Sequence, residues 1–325
     1  MNNPKINIII LYGNAWPGWF DYFLRSCEKN ETINWLIFSG NENPKAITDN
    51  IRFINISAED LTGRIKEKLG INPVIKHSFK FADFKPAYGL IFEDYLKDCT
   101  FWGYCDIDLV FGNISKFITQ QITEDYDIIS PSIDFFPGHF MLLKNQSNIN
   151  HLFKLVPDWK EIFSQPECFC FDEKIAYPPI QPDSYHIHQA LVRNVRKHIR
   201  EYKFIRNPLF HYLNKQFRRI IKKRKMKLRE IKDFNSAINA FRYQGNARIF
   251  NQQWFMDDII KLRDGKTFFR IEWKQGRLID GQDEILYFHF PISKYSNSFR
   301  INEIDQSHFI LLNDDIRLSF KSYSS

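Results

Sequence analysis

The chain has 325 residues, a net charge of +7 and a hydrophobic fraction of 44%, enough apolar material for one large domain or two small ones and too much for a disordered chain. Its five cysteines (Cys27, Cys99, Cys105, Cys168 and Cys170) are irregularly spaced and include no C-x-x-C pair, which argues against a disulfide framework or a zinc site and fits a reduced, intracellular protein. No stretch approaches eighteen consecutive apolar residues and the N-terminal run is too short for a signal-peptide core, so a cytoplasmic protein is expected, with its positive charge pointing to an anionic partner.

In chain order, "INIIILYG" (6–13) is a β-branched run closed by Gly13 and predicts a buried strand. "PGWFDYFLRSCEKN" (17–30) predicts a helix with Pro17 in its first turn and Asn30 at its end. Strands follow at "INWLIFSG" (33–40) and "IRFINIS" (51–57), then a helix at "AEDLTGRIKEKLG" (58–70) closed by Gly70. "FKPAYGLIFEDYLKD" (84–98) reads as another helix, with Pro86 in its first turn. "FWGYCDID" (101–108), "YDIISPS" (126–132) and "GHFMLLKN" (138–145) read as strands. Residues 186–265 read as mostly helical and basic, "TFFRIEWKQGRLI" (267–279) as a hairpin turning near Gly276, and "EILYFHFPISK" (284–294) as a closing strand. Alternating strands and helices imply an α/β fold with a mainly parallel sheet, whose ligands bind at the carboxyl ends of the strands. Neither a G-x-G-x-x-G nor a P-loop pattern is present.

At one such strand end stands a D-x-D, Asp106 and Asp108. Two carboxylates at i and i+2 share a face of a regular strand, and where the backbone leaves that alternation they can converge on one hard divalent ion, Mn2+ or Mg2+, which in turn binds phosphate oxygens. The plainer alternative is a solvated strand-end turn. A second D-x-D, Asp125 and Asp127, precedes a strand instead of ending one.

The block "FKFADFKPAYGLIFEDYLKDCTFWGYCDIDLVFGNISKFI" resembles the central block of GT-A-type glycosyltransferases. More narrowly, together with "PGHFMLLKN", "CFDE" and "YFHF", it is similar to a bacterial family associated with surface-polysaccharide synthesis. The resemblance implies a GT-A-like, Rossmann-like core over 1–195; the residues themselves add a basic helical segment over 196–266 and a hairpin and closing strand over 267–325, which are expected to return to the core. It implies a metal held by Asp106, Asp108 and His289, with Asp106 also near the donor sugar and ribose. Lys294 would meet the diphosphate, although the H-x-x-x-x-K spacing lacks the glycine of the best-known version, and His289 reads equally as a core histidine. Tyr12, Gly13 and Asn14 would dock the nucleobase and ribose. Asp83 and Lys85 would contact the donor, unless Asp83 only caps a helix. Gly138 and His139 would face the acceptor. Asp172 or Glu173 would be the base of an inverting reaction, or would orient the acceptor of a retaining one; the alternative is a surface acidic pair.

The run "KQFRRIIKKRKMKLREIK" (215–232) carries ten Lys/Arg with an apolar stripe through Phe217, Ile220, Ile221, Leu228 and Ile231. Such a basic amphipathic helix can lie on an anionic membrane, here the inner face, or simply pack by its stripe. No nucleic-acid fold motif accompanies it, so nucleic acid is not expected. The function expected is a glycosyltransferase of hexosyl type, moving a sugar from a nucleotide-sugar donor to a bacterial surface glycan or lipid-linked acceptor. The alternatives are a non-catalytic module of the same fold that binds a glycan or lipid intermediate, and a phosphoester hydrolase or nucleotidyltransferase using the same carboxylates.

Overall fold

A strand buried on both faces is apolar without alternation, and the chain's first element obeys this: β1 (Ile6–Leu11) has Ile8, Ile9 and Ile10 all within 2% of full burial. The structure, a computed structural model, describes residues 4–42, 44, 48–132, 136–172, 234, 237, 238, 247–258, 261 and 268–314. The expected helical segment over 196–266 lies largely outside these residues, and the basic run 215–232 and Glu173 lie entirely outside them.

Contacts divide the chain into two compact units that interleave in sequence: residues 1–56, 96–144 and 250–325 form one, residues 57–95 and 145–249 the other. The first unit contains the main sheet. Its strands are β1, β2 (Ile33–Ser39), β3 (Ile51–Asn55), β4 (Phe101–Cys105), β6 (Ile128–Ser130), β7 (Phe140–Lys144) and β8 (Ile249–Asn251), in the order β3-β2-β1-β4-β7-β6-β8. The β3-β2-β1-β4 half is parallel, and β7 runs antiparallel to both β4 and β6. The α/β class expected from the sequence is therefore observed. Parallel pairing brings the carboxyl ends of β1 and β4 side by side, just before Tyr12 and Asp106.

Helix α1 (Phe20–Glu28) buries Phe20, Phe23, Leu24 and Cys27, the i, i+3, i+4, i+7 stripe of a helix packed on a core. Pro17 sits before the helix, its carbonyl accepting the Phe20 N–H at 3.0 Å. Asn30, expected to end the helix, does more. Its amide donates to Ser26 O (2.8 Å) and Gly112 O (2.9 Å), and its Oδ1 accepts the Ile114 N–H (2.8 Å), tying the helix end to the segment after the D-x-D.

The chain changes sheets at the D-x-D. After β4, residues 106–108 leave the main sheet, and β5 (Leu109–Phe111) joins a three-stranded sheet with β13 (Tyr287–His289) and β9 (Phe255–Asp257). A five-stranded antiparallel sheet, β12-β11-β10-β15-β14, completes this unit. Its strands are β10 (Phe269–Lys274), β11 (Arg277–Asp280), β12 (Asp283–Glu284), β14 (Phe299–Asp305) and β15 (His308–Asn313). The expected hairpin is β10/β11, turned through Gln275 and Gly276 with φ of +50° and +81°, the two left-handed residues a tight hairpin needs. The Trp273 indole N–H donates to Phe111 O at 2.9 Å, joining this sheet to β5.

In the second unit, α2 (Ala58–Leu69) is closed at both ends by sequence signals: a Ser57/Asp60 capping box and Gly70 at φ +68°. The expected helix over 84–98 is instead a series of single turns, Lys85–Ala87, Tyr88–Ile91 and Glu93–Tyr95, continuing the turns Ser78–Lys80 and Phe81–Phe84 before it. Pro86 interrupts the hydrogen-bond ladder. Asp83 through Gly89 are all buried, so packing on every side, not one amphipathic face, sets their path.

Candidate functional site

At the end of β4 the Asp106 N–H still donates to the carbonyl of His139, the residue before β7 (3.0 Å), which holds the backbone as it departs. Two residues on, Asp108 is 5% exposed and its backbone carbonyl accepts the Phe290 N–H at 3.1 Å. This bond and the Leu109–His289 pairing set His289 beside Asp108. Asp106, Asp108 and His289 each offer a ligand atom, all within 4.8 Å of one another. Ligands about 2.1 Å from one ion lie at most about 4.2 Å apart, so small side-chain rotations would close this set. His289 Nδ1 is buried and has no hydrogen-bond partner among the described residues. Two carboxylates and one imidazole with an unsatisfied ring nitrogen form a donor set that could hold a metal ion.

Lys294 lies in a 3-10 turn (Ser293–Tyr295) after β13, and its Nζ is 2.6 Å from Asp108 Oδ2; His289 Nε2 is 3.6 Å from the same oxygen. Burial alone would raise the Asp108 carboxyl pKa, but the Lys294 ammonium and His289 hold it well below the usual carboxylate range. Burial likewise works against charge on His289 and Lys294, and Asp108 outweighs it, holding both above their ordinary values. Asp108 is thus buried in an ion cluster and is not a solvated turn residue, Asp106 is half-buried, and His289 is buried beside them.

Tyr12 follows β1 beside these groups. Its phenol is raised chiefly by burial and feels Lys294, Asp108 and Tyr295. Its ring stacks on Trp16 (5.2 Å between centroids), which stacks on Phe20 (4.1 Å). Gly13 and Asn14 are exposed. His139, expected on the acceptor side, is 3% exposed; its Nε2 lies 2.9 Å from the Tyr287 hydroxyl and its ring stacks on His289 at 4.2 Å. Gly138 is buried beside it. The second D-x-D behaves differently: Asp125 accepts from Gln121 in its own helix (2.6 Å), and Asp127 pairs with Lys144 (3.1 Å).

The second unit gathers the other expected residues. Asp83 does not cap a helix. It is fully buried, accepts Lys80 Nζ at 2.8 Å and takes the backbone N–H groups of Phe169 (3.0 Å) and Phe171 (2.9 Å). Burial pushes its carboxyl up, against the pull of these partners. Lys80 also donates to Ile162 O (2.5 Å) and Glu167 O (2.8 Å), so the pair clamps residues 162–171. Lys85 and Asp172 form a buried ion pair at 2.9 Å; Asp172 is not a surface carboxylate.

Three residues near the first site carried no separate sequence signal. Asp257 sits level with His289 across the β9/β13 pairing. Asp258 is fully buried and its carboxyl is pushed up to about 7, chiefly by burial. Tyr295, next to Lys294, is 52% exposed, and the Lys294 ammonium lies 5.1 Å from its ring centre. The dipeptide at 257–258 gains meaning only from the strand pairing.

The sequence profile of a family of unknown function, DUF6625, matches residues 8–318. The chain belongs to DUF6625. The Asp106/Asp108/His289 cluster and Lys294 of this DUF6625 member all fall inside the matched region. No curated protein matches the chain. Among solved structures, it is similar to the galactosyltransferase LgtC in complex with donor and acceptor sugar analogues, at 16% identity and a TM-score of 0.31, over 48% of this chain and 64% of that one. It is also similar to mouse xyloside xylosyltransferase 1 (12% identity, TM-score 0.34, 48% of this chain and 73% of that one). A third is the glycosyltransferase GlyE of Streptococcus pneumoniae TIGR4 (13%, 0.29, 47% and 38%). The DUF6625 chain thus spans less than two thirds of the LgtC chain.

Proposed function

We propose that this DUF6625 member is a metal-dependent glycosyltransferase of GT-A type, moving a sugar, of hexosyl type, from a nucleotide-sugar donor to a bacterial surface glycan or lipid-linked acceptor. The observation that carries the reading is the convergence of Asp106, Asp108 and His289 within 4.8 Å at the carboxyl end of β4, with Lys294 2.6 Å from Asp108. Asp106, Asp108 and His289 would hold Mn2+ or Mg2+, which when bound supplies positive charge to the departing diphosphate. Lys294 leaves Asp108 for a phosphate oxygen, exchanging one anionic partner for another. Tyr12, Gly13 and Asn14 line the nucleotide side at the adjacent end of β1, and His139 supports the His289 ring by stacking. Gly138 keeps its acceptor-side assignment from the resemblance, and Asp172 or Glu173 would take the acceptor proton in an inverting reaction or orient the acceptor in a retaining one; the donor contact expected of Asp83 and Lys85 gives way to a structural role, since Asp83 is buried on Lys80 and Lys85 is paired with Asp172. A cytoplasmic protein peripheral to the inner membrane face is the matching location, and no helix among the described residues is long and apolar enough to cross a membrane.

The test is a thermal-shift screen of nucleoside diphosphates and nucleotide-sugars with and without Mn2+, followed by detection of released nucleoside diphosphate. Stabilisation that requires both metal and nucleotide, with turnover of one donor, is expected. Asp108→Asn should abolish it and Asp125→Asn should not; equal behaviour of the two variants removes the assignment of the metal site.

A further inference from the structure

We infer that Asp258 is a positioning residue for Lys294, fixing from behind the turn that delivers the ammonium group; the inference rests on the proposed phosphate-binding role of that lysine. A lysine side chain has four rotatable bonds, so where its charge lies depends on how firmly its backbone is held. Lys294 sits on a single 3-10 turn, a poor anchor by itself. The first N–H groups of such a turn have no partner within it, and Ile292, at its start, provides no side-chain cap.

Asp258 fills this need from a distant part of the sequence. Its Oδ2 accepts the N–H groups of Ile292 (3.0 Å) and Ser293 (2.6 Å). Asp258, Ser293 and Asn313 are each fully buried. Asn313 braces the same turn on the other side. Its amide donates to Ser293 Oγ (3.0 Å), and its Oδ1 accepts the Ser298 hydroxyl (2.7 Å), which lies 2.7 Å from Ser296 Oγ. Lys294 N–H closes onto Phe290 O at 3.3 Å. The backbone bearing Lys294 is therefore held on both sides.

Asp258 also ties this brace to the metal ligands. The residue before it, Asp257, pairs with His289 in the β9/β13 ladder, so one short segment sets His289 by strand pairing and the lysine turn by capping. The other carboxyl oxygen, Oδ1, is buried with no partner among the described residues. A buried, half-satisfied carboxyl is costly, and the turn it holds accounts for its presence.

The experiment measures binding of UDP and GDP with Mn2+ by calorimetry, well below the unfolding temperature, for the wild type, Lys294→Ala, Asp258→Ala, the double variant and Asp258→Asn. Lys294→Ala should weaken binding of the recognised diphosphate by about tenfold, the loss of one charge-assisted contact. Asp258→Ala should weaken it severalfold. The double variant should bind no more weakly than Lys294→Ala alone, because a residue acting through Lys294 has nothing left to act on. Asp258→Asn, which keeps an acceptor oxygen, should bind as the wild type does. Wild-type binding by Asp258→Ala, or a full additive loss in the double variant, overturns the inference while leaving the site reading intact. Wild-type binding by Lys294→Ala, or no binding of either diphosphate by the wild type, overturns the phosphate role of Lys294 and the inference with it. Should Asp258→Ala fail to fold, hydrogen exchange on the wild type decides: the amides of Ile292 and Ser293 should be protected without ligand, and exchange at the free-peptide rate overturns the brace.

Discussion

Single residues in this protein resolve into groups that hold structure and groups held in tension. Asp258 is of the second kind. With its carboxyl pushed up to about 7 from 3.8, the folded state keeps a proton that the unfolded state loses, so stability falls as pH rises from about 4 to about 7 and is flat above. Three pKa units correspond to at most about 4 kcal/mol. Asp108 works in the opposite direction: its carboxyl is held low, so its contribution is present above the unfolded pKa and is lost on acidification. Asp258→Asn, an isostere of the protonated form, should remove the first slope, raising the urea midpoint at pH 8 more than at pH 5; an equal shift at both pH values would contradict it. Lys80 is of the first kind, buried with three oxygen acceptors. Lys80→Met leaves Asp83 buried without its cation and should cost about 3–5 kcal/mol in denaturant unfolding, whereas Lys80→Met combined with Asp83→Leu should recover part of that loss.

At the scale of elements, the site depends on two strand pairings. β4 lies so close to β7 that a Cβ on Gly103 would stand 2.4 Å from Met141 O and 2.6 Å from Leu142 Cδ2. Gly103→Ala must push the strands apart, at a cost of about 1–3 kcal/mol. The Asp106–His139 backbone bond lies at the end of the same ladder, so the variant should also lose Mn2+-dependent nucleotide stabilisation beyond its loss of folding stability. Unchanged nucleotide stabilisation in Gly103→Ala would show the site to be insulated from this pairing. The other pairing, β5 with β13 and β9, involves strands of three residues each. Strands so short carry almost no periodicity; "YFHF" is legible as a strand only because the apolar run 284–294 extends beyond it, and β9 has no such flanking run.

For the whole molecule, two interleaved units mean that neither is a continuous stretch of chain, and truncation at any one point should cut through a core. Metal removal is the global functional test: chelation with EDTA should abolish nucleotide-induced stabilisation and Mn2+ should restore it, by about 2.7 kcal/mol at a hundredfold excess of nucleotide over its Kd. The ten cations of 215–232, outside the described residues, give a second test. Each Lys or Arg near an anionic bilayer contributes on the order of 1 kcal/mol and the attraction is screened by salt. Sedimentation with anionic liposomes at low salt, release at high salt, and weakening by Arg218→Gln, Arg219→Gln, Lys222→Gln and Lys223→Gln together are expected. Equal sedimentation with neutral vesicles would remove the anionic-membrane role from this run.

The sequence by itself determined what local patterns can encode. The apolar runs of β1, β2 and β4, the Ser57/Asp60 and Gly70 caps of α2, and the Gln275–Gly276 turn are written in residues a few positions apart. It also located the D-x-D at a strand end and named His289 and Lys294 through resemblance. Only the tertiary structure decided which carboxylates meet which cations. Lys294 reaches Asp108 across 186 residues of sequence, Lys85 reaches Asp172 across 87, and Asp258 caps a turn 34 residues on. Hydrophobic periodicity fixes which face of an element is buried, but strand register and burial from every side choose its neighbours. That is why Asp83 became a buried clamp and the helix expected over 84–98 broke into turns.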